Sequence, residues 1–170
     1  MIARLSLAVL AALLVASAAQ SADSPKLSVA SFAKLKTPLP YPYDEHADAM
    51  RDVAAAKARA AAEGKLLLID LGGNWCPDCR ILAGTMELPE LQAFVAAHYV
   101  TVMVDVGRLS RNLQIPAHYG MRDRLIGVPA VLIVDPRTDR LIDAGHTFAL
   151  ADARSMNPQA LADWLAQWTP

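Results

Sequence analysis

Only two cysteines occur in this chain, Cys76 and Cys79, with two residues between them. A disulfide across that gap closes a ring too short to restrain much of the unfolded chain. Cross-links therefore cannot stand in for a core, and burial of apolar side chains must hold the fold. With 170 residues, 54% of them hydrophobic, one such domain is within reach. That frees the cysteines for chemistry. The preceding run, Leu66-Leu67-Leu68-Ile69-Asp70-Leu71, reads as a buried strand, and the residues from Pro77 onward can be helical. A thiol at a strand-to-helix junction meets free helix N–H groups and the helix dipole, both of which favour thiolate. The competing reading is a zinc half-site. Zinc takes about four ligands, no nearby His or Cys completes the set, and His46, His98, His118 and His146 are dispersed. Neither a metal nor another cofactor is expected.

The N-terminus reads as an export signal over residues 1–22. Met1 to Arg4 is a short basic start, Leu5 to Ala16 an apolar run, and Ser17 to Ala22 a small-residue stretch. The apolar run falls short of the roughly 20 residues a membrane helix needs. The expectation is a periplasmic protein with no stable membrane insertion once the signal is removed. Net charge is −1, or −2 without Arg4. This balance does not suit nucleic acid as a partner. An exported dithiol meets an oxidising compartment. There it is either kept oxidised, as an oxidant, or re-reduced by a dedicated electron-donor protein.

Residues 23–43 read as a tether, extended because alternate prolines in Thr37-Pro38-Leu39-Pro40-Tyr41-Pro42-Tyr43 remove donors and fix φ. Residues 44–170 read as one domain. A helix is expected from Asp44 or Glu45 to Glu63, with Ala47, Met50, Val53, Ala54, Lys57, Ala58 and Ala61 as its stripe and Gly64 ending it. After the strand at Leu66–Leu71 come helices from Pro77 to about Met86 and over Pro89–Ala97, then a strand at Tyr99–Val106. A short helix near Ile115–Tyr119, a polar insertion, and a strand at Ala130–Asp135 follow. Pro136-Arg137-Thr138-Asp139 turns into a hairpin strand, Arg140–Ala144, and Asn157 caps a last helix, Pro158–Trp168.

This order, with Trp75-Cys76-Pro77-Asp78-Cys79 after a strand, Asp70 six residues before Cys76, and Gly127-Val128-Pro129 before the third strand, resembles the thioredoxin superfamily over about residues 64–168. The export signal, the extra leading helix and Asn74-Trp75-Cys76 look closest to exported bacterial thioredoxin-like proteins. The resemblance implies an α/β thioredoxin fold: a central mixed β-sheet flanked by helices, with an N-terminal extra helix. It also implies thiol–disulfide exchange, a cis Pro129, a more buried Cys79, and a buried Asp70. The chain departs from the family in having Pro77-Asp78 between the cysteines, Ala130 after the proline, and extra residues Asp123-Arg124-Leu125. Thr101 falls near the place of the lysine that pairs with the buried aspartate.

Roles follow. Cys76 is the expected nucleophile and Cys79 the resolving thiol. Asp70 either accepts the Cys79 proton, if burial raises its pKa, or bonds a loop N–H near a strand end. Val128 and Pro129 either present backbone to an extended substrate or form an ordinary loop. Trp75 is either a platform beside the sulfurs or core packing; Pro77 and Asp78 complete the expected substrate-contacting set. Asp78 is expected to raise the Cys76 pKa and make the pair a reductant. The function expected is disulfide reduction in exported protein partners. The alternatives are a disulfide oxidase, or a chaperone or assembly adaptor whose cysteines are not catalytic and whose tether and 107–127 segment are docking surfaces.

Overall fold

Four strands form one mixed sheet in the order β2-β1-β3-β4. In this computed structural model, which describes residues 22–122 and 125–170, β1 is Leu66–Gly72, β2 Tyr99–Asp105, β3 Ala130–Asp135 and β4 Arg140–Leu141. β1 pairs parallel with β2 and antiparallel with β3, and β3 pairs antiparallel with β4. The central position of β1 explains its sequence. A strand with neighbours on both edges and helices on both faces is apolar at nearly every position; Leu67, Leu68, Ile69 and Leu71 are fully buried, and Asp70 is the exception. The export signal, residues 1–22, lies outside the described residues except for Ala22; so do Asp123 and Arg124 of the insertion. Among the described residues, no helix is long and apolar enough to cross a membrane.

Among the described residues, five α-helices cover the sheet: α1 Ala49–Glu63, α2 Pro77–Met86, α3 Pro89–His98, α4 Gln114–His118 and α5 Pro158–Ala166. One core contains Ala56 and Ala60 of α1, Ile115 of α4, and Leu67, Ile69 and Leu71 of β1. The other contains Leu68 with Leu82 of α2, Leu91 and Val95 of α3, and Leu161 and Leu165 of α5. The alternation of β1 side chains between the two faces divides them.

Two boundaries and one helix face depart most from the sequence reading. α1 starts at Ala49, not at Asp44 or Glu45. Asp44 turns the chain by accepting the His46 N–H at 2.8 Å, and Asp48 caps the helix by accepting the Arg51 N–H at 3.1 Å. The buried face of α1 is Ala49, Ala56 and Ala60, whereas Met50 is 52% exposed. An alanine-rich helix has too little contrast between faces for periodicity to orient it. β4 ends after Leu141 rather than reaching Ala144, because the Asp143 carboxylate takes the Ile133 N–H at 2.9 Å in place of a further strand residue.

The proline-rich stretch lies against the domain. Leu35 and Tyr43 are buried. Arg80 of α2 donates to the carbonyls of Leu39 at 2.7 Å and Pro40 at 3.1 Å. Further upstream, Gln159 of α5 accepts the Leu27 N–H at 3.0 Å and donates to the Pro25 carbonyl at 3.0 Å. Prolines leave carbonyls without matching donors of their own, and these long side chains supply them. The stretch is thus a strap laid over α2 and α5.

Candidate functional site: a dithiol at the start of α2

Cys76 is the N-cap of α2, and Pro77 occupies the first turn, where its missing N–H costs nothing. The Cys76 Sγ accepts the Cys79 N–H at 3.2 Å and donates to the Val128 carbonyl at 3.4 Å. The Val128–Pro129 bond is cis. The hydrogen bond to Val128 joins the loop before β3 to the start of α2 at this sulfur. Both cysteines are free thiols. Cys76 is 3% exposed and Cys79 fully buried.

The two thiols are electrostatically unlike. Cys76 is lowered to about 7, first because the Cys79 thiol donates to its thiolate and then because the Cys79 and Asp78 N–H groups point at it. Burial and the Asp78 carboxylate oppose that shift without cancelling it. Cys79 is raised, first because its proton is held by Cys76 and next because it is buried, with the Asp70 charge adding to both. One sulfur is prepared to attack near neutral pH, and the other keeps its proton until something takes it.

Asp70 lies on β1 with no exposed surface, and burial raises it to about 7, with the charge of Cys76 adding to the rise. Neither carboxylate oxygen has a hydrogen-bond partner among the described residues. The Tyr43 phenol is near enough to lower the Asp70 pKa somewhat but closes no bond of hydrogen-bonding geometry. The loop N–H partner considered from sequence is therefore not there. Across β2, Met103 rather than Thr101 stands opposite Asp70; Thr101 pairs with Leu68.

Asp78 is buried, and it accepts from Arg154 through the backbone N–H at 2.9 Å and from Nε and Nη2 of the guanidinium. Burial alone would raise its pKa; the Arg154 donors outweigh it and hold the carboxyl below its ordinary range. The half-exposed Arg154 guanidinium faces solvent in its place. The expected rise of the Cys76 pKa is real as a contribution, but the net shift is downward. Arg154→Ala is expected to leave Asp78 charged and unmatched beside the thiol, moving the midpoint of Cys76 alkylation by iodoacetamide from about 7 toward the ordinary thiol value of about 8.5. An unchanged midpoint would show that the ion pair has no hold on Cys76.

Trp75 is 42% exposed and donates Nε1–H to the Gly107 carbonyl at 2.6 Å. The Arg108 guanidinium stands 5.2 Å from its ring centroid. Pro77 is exposed, and Val128 and Pro129 are buried. The structure thus gathers Cys76, Cys79, Val128 and Pro129 at one point, with Asp70 beneath and Trp75 and Pro77 at the surface. Sequence reasoning missed Arg154 and Tyr43. Arg154 carried no local signal; Tyr43 could have been noticed as an aromatic ending a proline-rich run. A groove of about 300 Å³ between α1 and α4, lined by Met50, Val53, Ile115 and Tyr119 among others, includes neither thiol.

The sequence profile of a family described as Thioredoxin-like matches residues 48–136. Among solved structures, a disulphide isomerase from Xylella fastidiosa Temecula1 is similar, with a TM-score of 0.68 and 37% identity over 75% of this chain and 96% of its own. A protein of unknown function from Pseudomonas aeruginosa gives 21% identity and a TM-score of 0.37 over 71% of this chain and 83% of its own, too loose a likeness to carry an argument. No curated protein matches the sequence.

Proposed function

This chain belongs to the thioredoxin-like family, and from that premise we propose that it is an exported thiol–disulfide oxidoreductase that reduces disulfides in protein partners. The observation that carries the reading is the asymmetry of the pair: Cys76 lowered to about 7 at the helix start, and Cys79 raised directly behind it. Cys76 thiolate attacks a partner disulfide, forms a mixed disulfide and expels one partner thiolate. Cys79 then gives up its proton and attacks the Cys76 sulfur, releasing the second partner thiolate and leaving a Cys76–Cys79 disulfide. Two electrons pass from the dithiol to the partner.

The size of the shift supports the reducing direction. A strong oxidant stabilises its thiolate far more, with a pKa of about 3.5. A thiol near 7 stabilises the reduced form less and gives electrons up more readily. Equilibration with glutathione is expected to yield a potential nearer about −270 mV than about −120 mV; a value at the oxidising end reverses the direction. Export to the periplasm rests on residues 1–22 and implies an electron-donor protein to restore the dithiol. The description of the Xylella structure as a disulphide isomerase favours a second reading, reshuffling of wrong disulfides. Reshuffling consumes no electrons and needs only Cys76, so Cys79→Ser would still rescue scrambled ribonuclease while losing insulin reduction.

A further inference from the structure

Tyr43 comes from the strap, yet its side chain ends beneath the dithiol. Asn74, two residues before Cys76, clamps its backbone on both sides: Oδ1 accepts the Tyr43 N–H at 3.2 Å and Nδ2 donates to the Tyr43 carbonyl at 2.8 Å. The ring is 3% exposed and packs in the same core as both cysteines. Room for it exists because residue 72 is glycine. A Cβ there would run into the Tyr43 hydroxyl and stand 2.9 Å from the Cys79 Sγ. Phenol oxygen and resolving sulfur therefore sit side by side over the same bare backbone. Asp70, two residues earlier on β1, faces the same side of the sheet.

Three oxygens here, the Tyr43 hydroxyl and both of Asp70, are buried without a hydrogen-bond partner among the described residues. Buried polar atoms are rarely left so, and a cluster of them beside a reactive thiol suits a state other than the resting one. The charged or titratable groups that bear on the hydroxyl are Asp70 from β1 and Cys79 from α2, with Cys76 acting on both of those. The strand neighbours of Asp70, Met103 on β2 and Val131 on β3, are apolar.

We propose that Tyr43 is a positioning residue for the resolving step, its hydroxyl donating to the Asp70 carboxylate that takes the proton from Cys79. This rests on the exchange reading above. In the mixed disulfide the Cys79 S–H proton passes to Asp70, the Cys79 thiolate bonds to Cys76 Sγ, and the bond from Cys76 to the partner sulfur breaks. The partner leaves as thiolate and takes a proton from water. Tyr43 keeps its own proton throughout. By bonding one carboxylate oxygen it favours the charged, proton-accepting form of Asp70 and leaves the other oxygen for Cys79.

Ellman's reagent at one equivalent separates the steps, because attack by Cys76 releases one thionitrobenzoate and resolution by Cys79 releases the second. Tyr43→Phe keeps the ring and is expected to leave the first phase and its pH midpoint unchanged. The second phase should slow about tenfold at pH 7, the loss of one hydrogen bond to a charged group, with its midpoint moved to higher pH. In an Asp70→Asn background the same change should cost nothing more. A second phase with the wild-type rate and pH profile in Tyr43→Phe would reduce Tyr43 to an anchor for the strap. Absence of the first phase in the wild type would instead sink the exchange reading. Should Tyr43→Phe fail to fold, fluorotyrosine at this position, a stronger donor, is expected to speed the second phase; no change in rate overturns the proposal.

Discussion

Cys76→Ser is expected to bring insulin reduction down to the uncatalysed background, and Cys79→Ser to hold the protein in a covalent complex with its substrate. Serine is unionised near neutral pH, so the hydroxyl at the α2 N-cap gains nothing from the Cys79 and Asp78 N–H groups that draw Cys76 down to about 7. The second variant keeps the attacking sulfur but removes the group that expels the partner. Its mixed disulfide should appear as a dithiothreitol-sensitive mass increase on non-reducing gels. The readout also separates this protein from the adaptor considered on sequence grounds, in which the cysteine pair is not catalytic. Turnover that survives Cys76→Ser would end the dithiol mechanism. Failure of Cys79→Ser to trap any adduct, with Cys76 still alkylated normally, would end the division of labour between the two thiols.

Asp70→Asn is expected to stabilise the protein at pH 8 while impairing it as a catalyst. Burial raises Asp70 from 3.8 to about 7. The folded chain therefore holds this proton where the unfolded chain has released it, so its contribution to stability is complete below about pH 4 and declines as pH rises to about 7. The upper limit of the loss is about 4 kcal/mol. Asp143, raised to about 6 chiefly by burial, pulls in the same direction, so the substitution removes only part of the decline. Asparagine leaves a neutral amide in the same place, comparable to the protonated acid. Urea midpoints at about pH 3.5 and about pH 8, below and above both pKa values, test this: the two proteins should agree at the lower pH and diverge at the higher, with the variant more stable. Parallel curves would mean that Asp70 does not carry the raised pKa. The catalytic loss should fall on Cys79, whose proton then has no carboxylate to go to.

How much of this was open to a reader of the chain depends on the range of the interaction concerned. β1 was legible because a strand buried on both faces is a near-continuous apolar run, broken in β1 only by Asp70, and β3 for the same reason. α2 and α5 announced themselves through proline in the first turn and, for α5, Asn157 at the cap. α1 was placed but wrongly rotated, since alanine on every side offers no contrast. β4 was overextended, because nothing local reveals that a carboxylate will take the N–H of a strand ten residues away.

Composition and spacing alone determined that this chain must build a core without cross-links, put its lone thiols at a strand-to-helix junction, and set a carboxylate six residues upstream. These are features of consecutive residues, governed by backbone donors, side-chain periodicity and proline stereochemistry. Only the folded arrangement decided what stands around the sulfurs: Val128 brought to Cys76, Arg154 drawn 76 residues back to Asp78, and Tyr43 slid beneath Cys79 through the gap at Gly72. Charge effects and desolvation act through space over a few ångströms, irrespective of distance along the chain, so the acidity of each thiol was written in the packing.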